Sequence, residues 1–269
     1  MHLRLAAVVV LGLSVATAPA EAKEHPSLAK ARALYNAADY DAAIGAAAVA
    51  RSDPASTDAS ALVAARSHLE RYRLRADEAD LVAARAALSE VRAAALSPRD
   101  QIDLLVGLGQ ALYLDQAYGA AAELFDTALS RASLLDNANR LRLLDWGATA
   151  LDREAQMLAA ERRVALLERA IARMEEELRQ DPGDPVANYW LAVAARDNGE
   201  FDRAWDASVA AWVRARLRPD TAMTLRSDID RFVTDVLIPE RVRRRPSREQ
   251  AGALDELRAE WTTLKSQWK

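Results

Sequence analysis

The sequence predicts an all-α fold: about five antiparallel helical hairpins stacked into a solenoid, followed by C-terminal capping helices. Three observations predict it. Small residues recur at intervals of 12 and then 7, as Ala31, Ala43 and Ala50, as Gly109, Ala121 and Ala128, and as Ala192, Ala204 and Ala211. An aromatic residue precedes the middle member by three places each time: Tyr40, Tyr118 and Phe201. Fixed offsets of this kind mark a repeated helical unit. The composition agrees, being 51% hydrophobic but only 6% aromatic, with 9 Gly and 9 Pro placed mostly at element ends. Alanine-rich apolar content suits thin layers of closely spaced helices, and so few breakers argue against a β-rich or disordered chain.

The 269 residues divide into a leader (1–22), a helical repeat region (23–219) and a C-terminal helical cap (220–269). In the leader, His2 and Arg4 precede an uncharged apolar run from Leu5 to Ala16. Ala20-Glu21-Ala22 then fits the small-x-small pattern of signal cleavage, which predicts a cut after Ala22. The run is short for a bilayer, which needs about 20 apolar residues. The expectation is a periplasmic or secreted protein without stable membrane insertion.

The first hairpin is expected over Ser27 to Arg51. Leu28, Ala31 and Leu34 mark its first helix, Asn36-Ala37-Ala38-Asp39 its turn, and Tyr40, Ala43, Ile44 and Ala47 its second helix at 3, 4 spacing. Asp53-Pro54 closes it, because proline cannot continue a hydrogen-bonded helix. Ser56, Thr57 and Asp58 offer N-caps for the next helix. The second hairpin, about Asp58 to Leu96, lacks the 12 and 7 intervals. Its stripes are Leu62, Ala65, Leu69, Tyr72 and Leu81, Ala84, Leu88, Val91, with a charged turn expected over Arg73 to Asp80.

Ser97-Pro98 opens the third hairpin as a cap followed by proline in the first turn. Leu105, Leu108, Gly109 and Leu112 are followed by Tyr118, Ala121, Phe125, Ala128 and Leu129. Gly107 and Gly109 are poor helix formers, so they are expected to let another backbone approach closely. The fourth hairpin carries Leu141, Leu144 and Ala148 on one helix and Leu167, Ala170, Ile171, Met174 and Leu178 on the other. Ala121 to Ala170 is 49 residues against 34 from Ala170 to Ala204, so its arms should project beyond their neighbours.

Asp181-Pro182-Gly183-Asp184-Pro185 breaks the chain, and Asp184 then caps the fifth hairpin. Asn198-Gly199-Glu200 is its turn and Arg218-Pro219-Asp220 its close. A helix is expected over Asp220 to Leu237, ending near Pro239, then a basic linker from Arg241 to Arg245. Ser247-Arg248-Glu249-Gln250 fits a capping box for the last helix. Leu254, Leu257, Trp261, Leu264 and Trp268 form its apolar stripe, expected to fold back on the open end of the stack.

Leu108-Gly109, Leu112, Tyr118, Ala121, Phe125 and Ala128-Leu129 together resemble the tetratricopeptide repeat. Asp197 to Ala204 resembles the turn and second-helix start of another copy, and the 34-residue step from Ala170 to Ala204 equals that family's period. The resemblance covers about Ser27 to Pro219, with hairpins two and four departing from it. The family's early tryptophan is unmatched, Trp146 and Trp190 being displaced. The resemblance implies a right-handed solenoid whose first helices line a concave groove. Its groove positions fall on Arg32, Tyr35 and Asn36, on Gln110 and Tyr113, and on Tyr189, Arg196 and Asp197. These are the candidate partner-binding residues, and Arg and Tyr are favoured at interface hot spots.

The chain offers little for other chemistry. A net charge of -4 lacks the basic footprint of a nucleic-acid binder. No cysteine exists for thiolate chemistry or metal binding. Beyond the leader the only histidines are His25 and His68, and no ligands are spaced for a metal. Glu175-Glu176-Glu177 point in different directions round a helix and read as a solvated face. The expectation is therefore no catalytic residue, no metal and no cofactor. The function expected is an exported scaffold that binds a peptide or protein in a helical groove. The alternative is a self-associating structural subunit of an envelope assembly, a homo-oligomer through the fourth hairpin and final helix.

Overall fold

A computed structural model describes residues 24–217 and 222–268. The expected leader (1–22) and the expected close at Arg218-Pro219-Asp220 lie outside the described residues. Among the described residues the fold is all-helical, with no strand. The hairpins are α1 (Pro26–Asn36) with α2 (Tyr40–Ala50), α3 (Thr57–Arg75) with α4 (Glu78–Glu90), and α5 (Pro98–Leu114) with α6 (Tyr118–Leu129). Then come α7 (Asn137–Met157) with α8 (Ala160–Gln180), and α9 (Pro185–Asp197) with α10 (Phe201–Ala215). Each helix packs on its neighbour in sequence, and α1 on α3, α3 on α5 and α7 on α9 pack as well.

The small residues sit at the helix crossings. Ala31, Ala43, Ala50, Ala121, Ala128, Ala192, Ala204 and Ala211 are all 0% exposed, and Gly109 is buried with them. A Cβ on Gly109 would stand 2.6 Å from Phe125 Cε1, and one on Gly107 3.2 Å from Leu88 Cδ2. Both glycines therefore make room for a side chain of a facing helix, rather than for a second backbone. One cluster of buried residues joins α1 and α2 to α3, another joins α3 and α4 to α5, and a third runs from Ile102 to Trp261.

Hairpins one, three and five share one turn, in the same register. The residue seven places after the first small residue is left-handed: Ala38 (φ 59°), Gln116 (φ 61°) and Gly199 (φ 85°). The next N–H donates five residues back, from Asp39 to Leu34 (3.0 Å), Ala117 to Leu112 (2.9 Å) and Glu200 to Ala195 (2.8 Å). This is the Schellman closure, which satisfies carbonyls that a helix end leaves orphaned. Hairpins two and four close differently: α3 ends at left-handed Ala76 with a single bond to Tyr72, and α7 ends at extended Leu158. The repeat in sequence is thus also a repeat in backbone, and it lapses in the same two hairpins.

Other boundaries correct the sequence reading. The second turn is only Ala76-Asp77, since α3 persists to Arg75 and Asp77 caps α4 by accepting from Ala79 N at 3.0 Å. Ser56 stands at the start of α3 without a side-chain cap, its hydroxyl going to Asp53 at 2.8 Å. Asp58 instead receives Arg92. The expected caps Ser97 and Asp184 both form, accepting from Asp100 N at 3.1 Å and from Val186 N at 2.8 Å. Both helices of hairpin four span 21 residues, against 13 and 15 in hairpin five.

The C-terminal part departs most. Helix α11 (Ala222–Arg231) does not stop at Pro239; it passes through a π-helical segment, Phe232–Leu237, into α12 (Ile238–Arg244). Proline clashes with the carbonyl four residues earlier in a regular helix, and the wider π segment just before Pro239 relieves that clash. The expected basic linker is therefore helical as far as Arg244. Ser247–Gln250 forms only one short helix, α13, without the capping box. Gly252, at φ 83°, starts α14 (Ala253–Gln267). Trp261 of α14 is 1% exposed and packs edge-on against Trp205 (5.9 Å) and Trp212 (5.5 Å) of α10. The stripe ends there and at Leu264, for Trp268 is 48% exposed.

Candidate functional site

A groove of about 670 Å³ is lined mainly by first helices. Tyr35 and Asn36 come from α1, Arg66, Glu70 and Arg73 from α3, Arg99, Asp103, Val106 and Gln110 from α5, and Asn139, Arg142 and Trp146 from α7. Their placement follows from the helix period: Arg66, Glu70 and Arg73 of α3, and Arg99, Asp103, Val106 and Gln110 of α5, are spaced three and four apart and so share one face of each helix.

Most charges in this groove are already paired. Arg66 lies over the Tyr35 ring at 4.7 Å and meets Asp103 at 3.0 Å. Desolvation opposes its charge, but the surrounding Tyr35, Asp103 and Glu70 outweigh that and hold it above the ordinary arginine value. Burial pushes the Tyr35 hydroxyl up. Arg73 pairs with Glu70 and lies 5.4 Å from the Trp146 ring centre. Arg99 donates to the Leu134 carbonyl at 3.1 Å. Two groups stand apart. Arg142 is exposed on the wall and forms no ion pair among the described residues. Gln110 is 6% exposed; its Nε2 reaches Glu70 at 3.5 Å and its Oε1 accepts from nothing. An unsatisfied buried carbonyl costs about 1–3 kcal/mol, so this oxygen asks for a donor.

The eight candidate residues do not form one site. Tyr35, Asn36 and Gln110 share the groove. Arg32 is committed elsewhere, clamping Asp100 of α5 at 2.8 and 3.1 Å and Glu24 at 2.8 Å. Tyr113 packs between Tyr118 (5.0 Å) and Trp146 (6.2 Å). Tyr189 packs on Trp190 and Phe232, and burial beside Asp228, Asp145 and Asp152 pushes its hydroxyl up to about 12. Arg196 and Asp197 pair with each other in a second cavity. The sequence reading missed Arg66, Glu70, Arg73 and Arg142. The first three lie on degenerate hairpin two, where no repeat register pointed to them.

The second cavity, about 600 Å³, lies at the tip of hairpin four. Ala155, Gln156 and Arg163 from the tip of hairpin four form one wall, and Glu240, Arg243 and Arg244 of α12 another. Arg196, Asp197, Gly199 and Phe201 of the fifth turn complete it.

His25 and His68 both have structural partners. His25 Nδ1 caps α1 by accepting from Ser27 N at 3.2 Å. His68 contacts Asp80 at 2.7 Å, and Arg71 holds the same carboxylate. Among the described residues, no three acidic or histidine side chains group as metal ligands, and no helix is long and apolar enough to cross a membrane. Comparison with protein-family models, with curated proteins and with solved structures found no match to this chain.

Proposed function

We propose that this protein is an exported interaction module of the tetratricopeptide type, a right-handed solenoid that receives an extended peptide segment in the groove of α1, α3, α5 and α7. One observation carries the reading: a groove lined by Tyr35, Asn36 and Gln110 carries on its wall Arg142, exposed and without an ion pair among the described residues. An acidic group of the partner suits Arg142, whose guanidinium takes a carboxylate through two nitrogens. The solenoid reading is supported by three identical turns, by core clusters that each join neighbouring hairpins, and by α14 lying on α10 as a terminal cap must. No catalytic role is proposed.

The test is a photo-crosslinking amino acid placed in the full chain in its native envelope. Asn36 and Arg142 are replaced in the groove, and Val49 and Val82, 60% and 61% exposed on second helices, serve as controls. One discrete adduct from the groove positions alone is the expected result. Adducts of equal yield at all four positions, or none at any, would refute the groove. A second reading, self-association, is favoured by Met157 and Val164, 64% and 46% exposed on the tip of hairpin four. Light scattering that returns a monomer at every concentration removes it.

A further inference from the structure

We propose that the cavity between the tip of hairpin four and α12 binds a phosphate-bearing anion, held by Arg163, Arg243 and Arg244. Three features that a repeat stack does not require meet there: the long hairpin four, the π segment that carries the chain past Pro239, and the arginine run that follows. Four guanidinium groups line the cavity against two carboxylates, Asp197 and Glu240, a surplus of two positive charges. Arg196 engages both carboxylates, taking Glu240 through two nitrogens. Arg243 reaches Glu240 only at 3.5 Å.

Arg163 and Arg244 have no carboxylate within ion-pair distance among the described residues. Both are nevertheless held in place. Arg163 donates Nε to the Ala155 carbonyl and one terminal nitrogen to Leu158, each at 3.0 Å, which leaves its other terminal nitrogen unused. Arg244 lies over the Phe201 ring at 3.9 Å. Guanidinium groups fixed in advance lose little entropy on binding, and their fork matches phosphate oxygens two at a time. A surplus of two charges suits a phosphomonoester, which carries about -1.5 to -2 at neutral pH, better than a single carboxylate. The phosphate could come from a soluble metabolite or from a lipid headgroup.

Calorimetric titration of the full chain separates the outcomes. Glycerol phosphate is the soluble probe, with glycerol and acetate as controls, and phosphatidate vesicles against phosphatidylcholine vesicles are the lipid probe. The expected result is one-site binding of a phosphate probe that weakens as salt rises and falls by at least about tenfold in Arg163→Gln/Arg244→Gln. Arg179→Gln, whose side chain is 70% exposed outside both cavities, should leave it unchanged. Binding confined to phosphatidate vesicles assigns the lipid source, and binding of glycerol phosphate without vesicle binding assigns the soluble one. No binding of either probe, equal binding of acetate, or undiminished binding in the double variant would overturn the site. If the double variant loses its helical circular dichroism, Arg243→Gln, whose side chain is 70% exposed, takes its place and should weaken binding by itself. None of these readings depends on the peptide groove.

Discussion

Adding one methyl group at two helical glycines should have opposite effects. Gly45 lies in α2 with nothing within 4 Å of where a Cβ would be. Gly45→Ala should therefore stabilise by about 1 kcal/mol, the helix-propensity difference between the two residues. Gly109 gains the same propensity term, but its new Cβ would stand 2.6, 3.0 and 3.0 Å from three atoms of the Phe125 ring. That ring is 0% exposed and cannot easily retreat, since Trp146 meets it edge-on at 5.7 Å and Gly147 of α7 lies close against its Cβ. Overpacking of this kind costs about 1–3 kcal/mol. Gly109→Ala should thus be neutral to destabilising by about 2 kcal/mol, and the two variants should differ by about 1–3 kcal/mol. Urea titration of both against the parent measures the difference directly, and thermal midpoints should separate by about 3 °C per kcal/mol. Equal stabilisation by both substitutions would show that nothing presses on Gly109, and the helix-crossing account of the small residues would fail.

The repeated turn makes a second prediction. Ala38 and Gln116 hold left-handed φ values of 59° and 61° while carrying a Cβ, so Ala38→Gly and Gln116→Gly should each stabilise by about 1 kcal/mol. Gly199→Ala should cost a similar amount, and unfolding midpoints of the three variants check the signs together. A third concerns acid. Asp80, 2% exposed, is held below the usual carboxylate range by hydrogen bonds from Arg71, with burial opposing and His68 adding. A depressed carboxylate contributes stability above its unfolded value of about 3.9 and loses it as pH falls through the folded value. Asp80→Asn should therefore destabilise by about 2 kcal/mol at pH 7 and progressively less below about pH 4. A deficit that stays constant from pH 7 to pH 3 would contradict this.

Local signals determined the helices. Proline, capping residues and 3, 4 apolar spacing are short-range features, so the turns of hairpins one and five and the starts of α5 and α9 were readable from the chain alone. The nine small residues were readable for the same reason: only a tiny side chain fits where two helices touch, whatever lies further off. The turn was half readable. Gly199 advertises a left-handed residue, whereas Ala38 and Gln116 declare it only by their common distance from Ala31 and Gly109.

Contacts between distant segments were decided by the tertiary structure. Nothing near Arg32 in the sequence announces that Asp100, 68 residues away, will occupy it. Nothing near Pro239 announces a π segment, because that choice depends on α12 having α14 and the fifth turn to pack against. Arg243 and Arg244 read as part of a basic linker for the same reason, and folding put them on the wall of a cavity. Charge and polarity are properties of a residue, but whether a charge is paired, buried or left facing a hollow depends on groups the chain brings to it from far along its length.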